Sequence, residues 1–130
     1  MSRTALLIED NEQNAYLVKV LLEPHDYEVV SATNGLRGVE LARTISPDLI
    51  LLDIQLPTMD GYEVARLLRT IDSLRRVPII AVTSYAMMGD REKALEAGCT
   101  GYIEKPINPE TFVTEIEQFG ILPPASEEPQ

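Results

Sequence analysis

Residues 49–53 read Leu49-Ile50-Leu51-Leu52-Asp53, four branched aliphatic side chains in succession closed by an acid. A short apolar run rich in Leu and Ile and bounded by polar residues fits a strand buried on both faces of a parallel sheet. Four further runs share this character: Ala5 to Glu9, Glu28 to Ala32, Ile79 to Thr83 and Gly101 to Glu104. Helical patterns lie between them. Alternation of strand and helix five times over predicts an α/β fold, a (βα)5 doubly wound open parallel sheet with helices on both faces, because each crossover is right-handed and must cover the sheet.

The helices are marked by apolar spacing and by their ends. Leu17, Val20 and Leu21 stand at i, i+3, i+4, and the pattern stops before Pro24, which breaks a helix interior. Val64, Leu67, Leu68 and Ile71 form a longer stripe, with Asp60 and Glu63 placed as the N-cap and N3 residues of a capping box. Asn108-Pro109-Glu110 reads as an N-cap, a proline at the first helical position and an acid suited to the dipole, opening a last helix with Phe112, Ile116 and Phe119 inward. Weaker stripes predict helices near Leu36 to Thr44 and Gly89 to Ala97, the latter followed by Gly98 at a left-handed position. Met87 and Met88 are expected to pack in a loop or helix.

With 130 residues, the chain has room for one compact domain and no multidomain enzyme. Residues 1–120 are expected to form that domain. Residues 121–130, with Pro123, Pro124, Pro129 and two glutamates, carry no apolar period and read as a disordered tail. A formal net charge of −10 sets up a field that repels nucleic acid and anionic membranes. No apolar stretch approaches the roughly 20 residues that span a bilayer. Cys99 is the single cysteine and cannot close an intrachain disulfide, so a cytoplasmic chain is expected. His25 has no second His or Cys with which to hold a metal, and Gly35 and Gly38 form no phosphate-cradling motif.

Ligands of open α/β sheets bind beyond the carboxyl ends of the strands. There the sequence places Glu9 and Asp10 after the first strand, Asp53 after the third, Thr83 and Ser84 after the fourth and Lys105 after the fifth. Three converging carboxylates repel one another and raise each other's pKa unless a cation shares the site. An all-oxygen set without His or Cys points to Mg²⁺. A metal beside a lysine, a hydroxyl and a carboxylate suits a phosphoryl group in transfer, with Asp53 as nucleophile, Lys105 pairing with the phosphoryl and Thr83 donating a hydrogen bond.

In order along the chain, Glu9-Asp10, Leu49 to Asp53, Leu56-Pro57, Asp60-Gly61, Ala81-Val82-Thr83 and Lys105-Pro106 resemble the motifs of receiver domains of bacterial two-component response regulators, from Thr4 to Phe119. Ala86 to Asp90, Ala97 to Cys99 and Tyr102 to Ile107 are similar to stand-alone regulators of the DivK kind and to receivers of hybrid kinases. The resemblance implies a flavodoxin-like, CheY-like strand order of 2-1-3-4-5. It implies that Asp53 takes a phosphoryl group from the phosphohistidine of a sensor histidine kinase or a histidine phosphotransfer protein. Glu9, Asp10, Asp53 and the Gln55 backbone carbonyl would serve Mg²⁺, Glu9 through water. Many members carry Asp-Asp where this chain has Glu9-Asp10. Thr83 and Tyr102 match the family's switch pair, and Lys105-Pro106 matches a position that carries a cis peptide.

The implied protein is a signalling molecule and not a turnover enzyme. It is a monomer or a weak phosphorylation-dependent dimer that acts on a downstream protein target, with no DNA-binding output domain. Two other readings stand beside it. A haloacid-dehalogenase-like Mg²⁺-dependent phosphohydrolase needs a second acid two residues after the nucleophile, where this chain has Gln55. A binding module of the same fold that ignores phosphate has no need of the intact acceptor residues.

Overall fold

A computed structural model describes residues 3–84 and 88–120. The expected tail and Met87 lie outside the described residues. The elements are β1 (Arg3–Ile8), α1 (Glu12–Leu22), β2 (Tyr27–Ala32), α2 (Gly35–Ile45), β3 (Leu49–Asp53), α3 (Gly61–Arg69), β4 (Ile79–Thr83), α4 (Asp90–Glu96), β5 (Gly101–Glu104) and α5 (Phe112–Glu117), with short 3₁₀ turns at Glu23–His25 and Asp72–Leu74. The five strands are parallel in the order β2-β1-β3-β4-β5.

Because side chains alternate across a strand, each apolar run feeds two cores. Leu6 and Ile8 of β1, Ile50 and Leu52 of β3, and Ile79 and Ala81 of β4 pack with Val39 and Ala42 of α2, Val64, Ala65 and Leu68 of α3, and Ala94 of α4. Ala5, Leu7, Leu49, Leu51 and Ile80 face the other way, onto Val18 and Leu22 of α1 and Phe112 and Ile116 of α5. This is the two-sided covering expected from unbroken aliphatic runs.

The last three strands have the bounds expected from sequence. β1 instead runs from Arg3 to Ile8, since Arg3 and Thr4 pair with Tyr27 and Glu28 of β2 despite their polarity. The stripe on α1 is corrected: Val18 and Leu22 are buried, while Val20 stands exposed. Two residues of helix turn a side chain by about 200°, so a helix that buries Val18 must present Val20 to water. On α3, Val64 and Leu68 are buried as expected, Leu67 is exposed, and Ile71 lies past the helix end, half-buried. Asp60 caps α3 by accepting from the Tyr62 amide at 3.1 Å.

The last helix begins at Phe112 and not at Pro109. The Asn108 side chain accepts from the Glu110 amide at 3.0 Å, which holds residues 108–111 in a turn of their own. Phe112 and Ile116 are fully buried and Phe119 is half-buried. Met88, expected to pack, is fully exposed.

Opposite the functional edge, one side chain ties several segments together. Arg69, at the end of α3, donates from Nε to the Gly98 carbonyl at 2.7 Å and from Nη1 to the Leu74 and Val77 carbonyls, each at 2.7 Å. Its Nη2 donates to the Thr100 hydroxyl at 3.1 Å, and that oxygen also accepts from the Ile79 amide at 3.2 Å. Gly98 has φ +105°, and a Cβ there would come within 2.6 Å of Arg69 Cγ, so both its backbone conformation and its closeness to Arg69 call for glycine.

The Arg69 bonds are charge-assisted and partly buried, so Arg69→Ala should cost about 2–4 kcal/mol of unfolding free energy. Arg69→Lys should recover less than half of that, since an ammonium cannot reproduce the planar fork. Urea titrations with unchanged m would measure both, and an Ala variant of wild-type midpoint would show that the carbonyls are equally well served by water.

Candidate phosphoryl-acceptor site

Strand register decides which side chains meet. Ile8 lies opposite Leu52, so Glu9 comes level with Asp53. Asp53 lies opposite Val82, and Thr83 opposite Glu104, so Thr83 and Lys105 stand one step further along the same edge. The chain is held there past the strand ends: the Glu9 amide donates to the Ala32 carbonyl at 2.9 Å and the Ile54 amide to the Val82 carbonyl at 3.1 Å. The loop after Asp53 returns through Gly61, whose amide donates to the Ile54 carbonyl at 3.2 Å. A Cβ on Gly61 would fall 2.5 Å from Ile54 Cα, so glycine alone permits that approach.

Glu9 and Asp53 are each only 5% exposed, whereas Asp10 is open to solvent. Oxygens of all three carboxylates lie within 4.8 Å of one another. The Lys105 ammonium donates to Glu9 Oε1 at 2.7 Å and reaches Asp53 Oδ2 at 3.5 Å. Asp53 Oδ1 accepts from the Gln55 amide at 2.9 Å, and Glu9 Oε2 accepts from the Asn11 amide at 3.2 Å. The structure thus brings together Glu9, Asp10, Asp53 and Lys105, with the Gln55 backbone alongside.

Thr83 is buried at the end of β4. Tyr102 pairs with Ala81 and packs against the core beneath α2, α3 and α4, so both members of the expected switch pair lie on one face of the sheet. The Tyr102 hydroxyl is buried without a hydrogen-bond partner. The Lys105–Pro106 peptide is cis, as the resemblance implied. His25 is exposed, and Cys99 is buried with its thiol pushed up to about 11 by that burial. Sequence reasoning did not find that the Gln55 side chain accepts from the Ser84 amide at 3.2 Å, a link between the β3 and β4 loops; Gln55 was marked only for its backbone.

Burial is the main cause that pushes the Glu9 carboxyl up to about 6. The Lys105 ammonium opposes the rise, and the neighbouring Asp53 carboxylate, which shares a hydrogen bond with Glu9, adds to it. A carboxyl whose pKa is raised by burial and by another carboxylate marks a place short of positive charge. An all-oxygen donor set with one exposed member fits a hard divalent cation that keeps part of its water shell, and Glu9, Asp10 and Asp53 are the side chains that would hold it.

The sequence model of the response regulator receiver domain matches residues 5–117. The polar-differentiation response regulator DivK of Brucella anthropi is 44% identical over 119 residues, spanning 92% of this chain and 97% of that protein. Among solved structures, the receiver domain of the sensor histidine kinase PA1611 from Pseudomonas aeruginosa, with a magnesium ion coordinated in its active site cleft, superposes with a TM-score of 0.83. It is 35% identical, and the match covers 92% of this chain and 98% of that one. The chemotaxis protein CheY4 of Vibrio cholerae gives a TM-score of 0.87 at 25% identity, over 94% of this chain and 100% of its own.

The raised Glu9 pKa has a sign that stability measurements can read. Relative to an unfolded carboxyl near 4.5, the folded protein prefers Glu9 protonated; that contribution is fully present below pH 4.5 and is lost as pH rises through about 6. Without metal, Glu9→Gln, a permanent mimic of the neutral acid, should therefore gain stability over wild type as pH rises from 4.5 to 7, with the midpoint of the difference about halfway between 4.5 and 6. A difference that stays flat across this window would show that folding does not raise the Glu9 carboxyl.

Proposed function

The chain belongs to the response regulator receiver domain family, and on that premise we propose that Asp53 is its phosphoacceptor and that phosphorylation changes the surface built from α4, β5 and α5. The observation that carries this reading is the pair of contacts on Asp53: Oδ1 is fixed by the Gln55 amide, and Oδ2 faces the Lys105 ammonium at the open edge of the sheet. A carboxylate held at both oxygens is oriented before the donor arrives, which removes part of the entropic cost of attack.

In the proposed reaction an Asp53 oxygen attacks the phosphorus of a phosphohistidine in line with the bond to the imidazole nitrogen. The P–O bond forms as the P–N bond breaks, and the electron pair of the broken bond stays on the imidazole, which takes up a proton. Lys105 pairs with the phosphoryl oxygens, leaving Glu9 to the site's other cation. Mg²⁺ bound by Glu9, Asp10, Asp53 and the Gln55 carbonyl would supply positive charge to the approaching oxygens. Thr83 then turns its hydroxyl toward the phosphoryl, and Tyr102, on the same face of the sheet, fills the space that it leaves.

Driving such a switch from 1:99 to 99:1 requires about 5.5 kcal/mol of differential interaction. Charge-assisted bonds to Lys105 and the cation, with the Thr83 hydroxyl, are of that order. The proposed donor is a sensor histidine kinase or a histidine phosphotransfer protein, and the proposed receiver of the signal is a protein target in the cytoplasm. Among the described residues no helix is long and apolar enough to cross a membrane. The phosphohydrolase reading finds no second acid at Gln55, whose side chain is engaged by the Ser84 amide.

Incubation with acetyl phosphate and Mg²⁺, followed by intact-mass spectrometry, should show one phosphoryl group per wild-type chain and none on Asp53→Asn, with the circular dichroism of the variant unchanged. An adduct of equal stoichiometry on Asp53→Asn removes that residue from the reaction, and continuous release of phosphate over many turnovers would favour a hydrolase. Lys105→Ala should still accept the group but lose most of the amide chemical-shift change in β5 and α4 on phosphorylation; a full wild-type response would exclude Lys105 from the switch.

A further inference from the structure

The ladder between β3 and β4 ends in a rung that is not backbone. Parallel strands in this register exchange bonds at alternate residues, and the amides of Ile50 and Ile54 donate to the carbonyls of Pro78 and Val82, at 2.9 and 3.1 Å. Continued by one step, the ladder would take the Ser84 amide to the Ile54 carbonyl. That carbonyl instead accepts from the Gly61 amide at 3.2 Å, where the loop after Asp53 returns. The Ser84 amide is served by the side chain of Gln55, whose Oε1 accepts from it at 3.2 Å. A side chain thus stands in for the last backbone rung, and the same residue, through its own amide, donates to Asp53 Oδ1 at 2.9 Å.

The two kinds of rung differ in what breaking them disturbs. A backbone rung to Ile54 could open only with movement of the β3 end that carries Asp53, whereas a glutamine side chain leaves by rotation about its own single bonds. Ser84 follows Thr83 directly, and the Thr83 carbonyl is held from the other side by the Lys105 amide at 2.7 Å. The Thr83–Ser84 peptide therefore lies between a backbone bond from the end of β5 and a releasable side-chain bond to the β3 loop. We propose that Gln55 is a positioning residue for the switch: its side chain holds the Thr83–Ser84 peptide in the resting protein and lets go of Ser84 when Thr83 moves toward the phosphoryl group, while its backbone stays in place on Asp53. A bond made only in the resting state weights the population toward that state, by about two- to tenfold for one neutral hydrogen bond. This inference rests on the reading of Asp53 as phosphoacceptor and of Thr83 as the moving hydroxyl.

The resting half is tested without phosphate, by NMR measurement of amide exchange with water in wild type and in Gln55→Met, which keeps the length of the side chain and removes the amide oxygen. Exchange at Ser84 should quicken about two- to tenfold, with less than about a twofold change at Ile54 and Lys105, whose amides make the backbone bonds on either side. Unchanged exchange at Ser84, or equal quickening at all three amides, overturns the rung. The second half is read from the β5 and α4 amide shifts, scaled between Mg²⁺-loaded wild type before and after treatment with acetyl phosphate. Mg²⁺-loaded Gln55→Met that has met no acetyl phosphate should lie displaced toward the phosphorylated end, its switched population raised by about the same factor of two to ten. No displacement, or displacement the other way, overturns the release. Should wild type take no phosphoryl group, the phosphoacceptor reading fails, while the Ser84 exchange result still decides whether the rung exists.

Discussion

Two buried carboxylates, Glu9 and Asp53, share a single ammonium, and the rest of the molecule is arranged around that imbalance. Lys105 sits closer to Glu9, at 2.7 Å, than to Asp53, at 3.5 Å. Fully ionised, the three groups carry a net negative charge in a place where water screens poorly, and the exposed Asp10 adds another. The fold answers by raising the Glu9 carboxyl to about 6. It also answers with mechanical restraint: each acid is anchored by backbone bonds from the strand beside it, so repulsion cannot spread the cluster apart. A divalent ion relieves the same shortage that the proton relieves, and a phosphoryl group draws on the same lysine. Proton and divalent cation would therefore be alternative ways of relieving one shortage of positive charge, which an anionic phosphoryl group would deepen.

Much of this was legible because strand ends are written in the sequence. β3, β4 and β5 begin and end where their aliphatic runs do, and the residues that close them are the ones that meet. The site needed only the parallel order of the strands to assemble Glu9, Asp53 and Lys105 from 96 positions of separation. Helix phase was harder. Val18 and Val20 are chemically identical, and only contact with the sheet decides that the first is inside. The Asn108 turn was misread because its side chain competes with the helix for a backbone amide, a contest that spacing does not reveal.

The sheet also separates an edge crowded with charged groups from an edge tied by neutral partners. On the side of the strand C-termini, charged groups are crowded and sparingly paired. On the other, Arg69 spends its donors on neutral carbonyls and a hydroxyl, and among the described residues it forms no ion pair.

The burial of Cys99 carries a practical corollary. A thiol that is enclosed, and whose ionisation is displaced to about 11, presents almost no thiolate to maleimide or iodoacetamide at neutral pH. A single reporter thiol introduced on the exposed side chain position of Met88, just before α4, can accordingly carry a fluorophore or spin label without first removing the native sulfur. The segment that opens α4 is thereby accessible to optical observation.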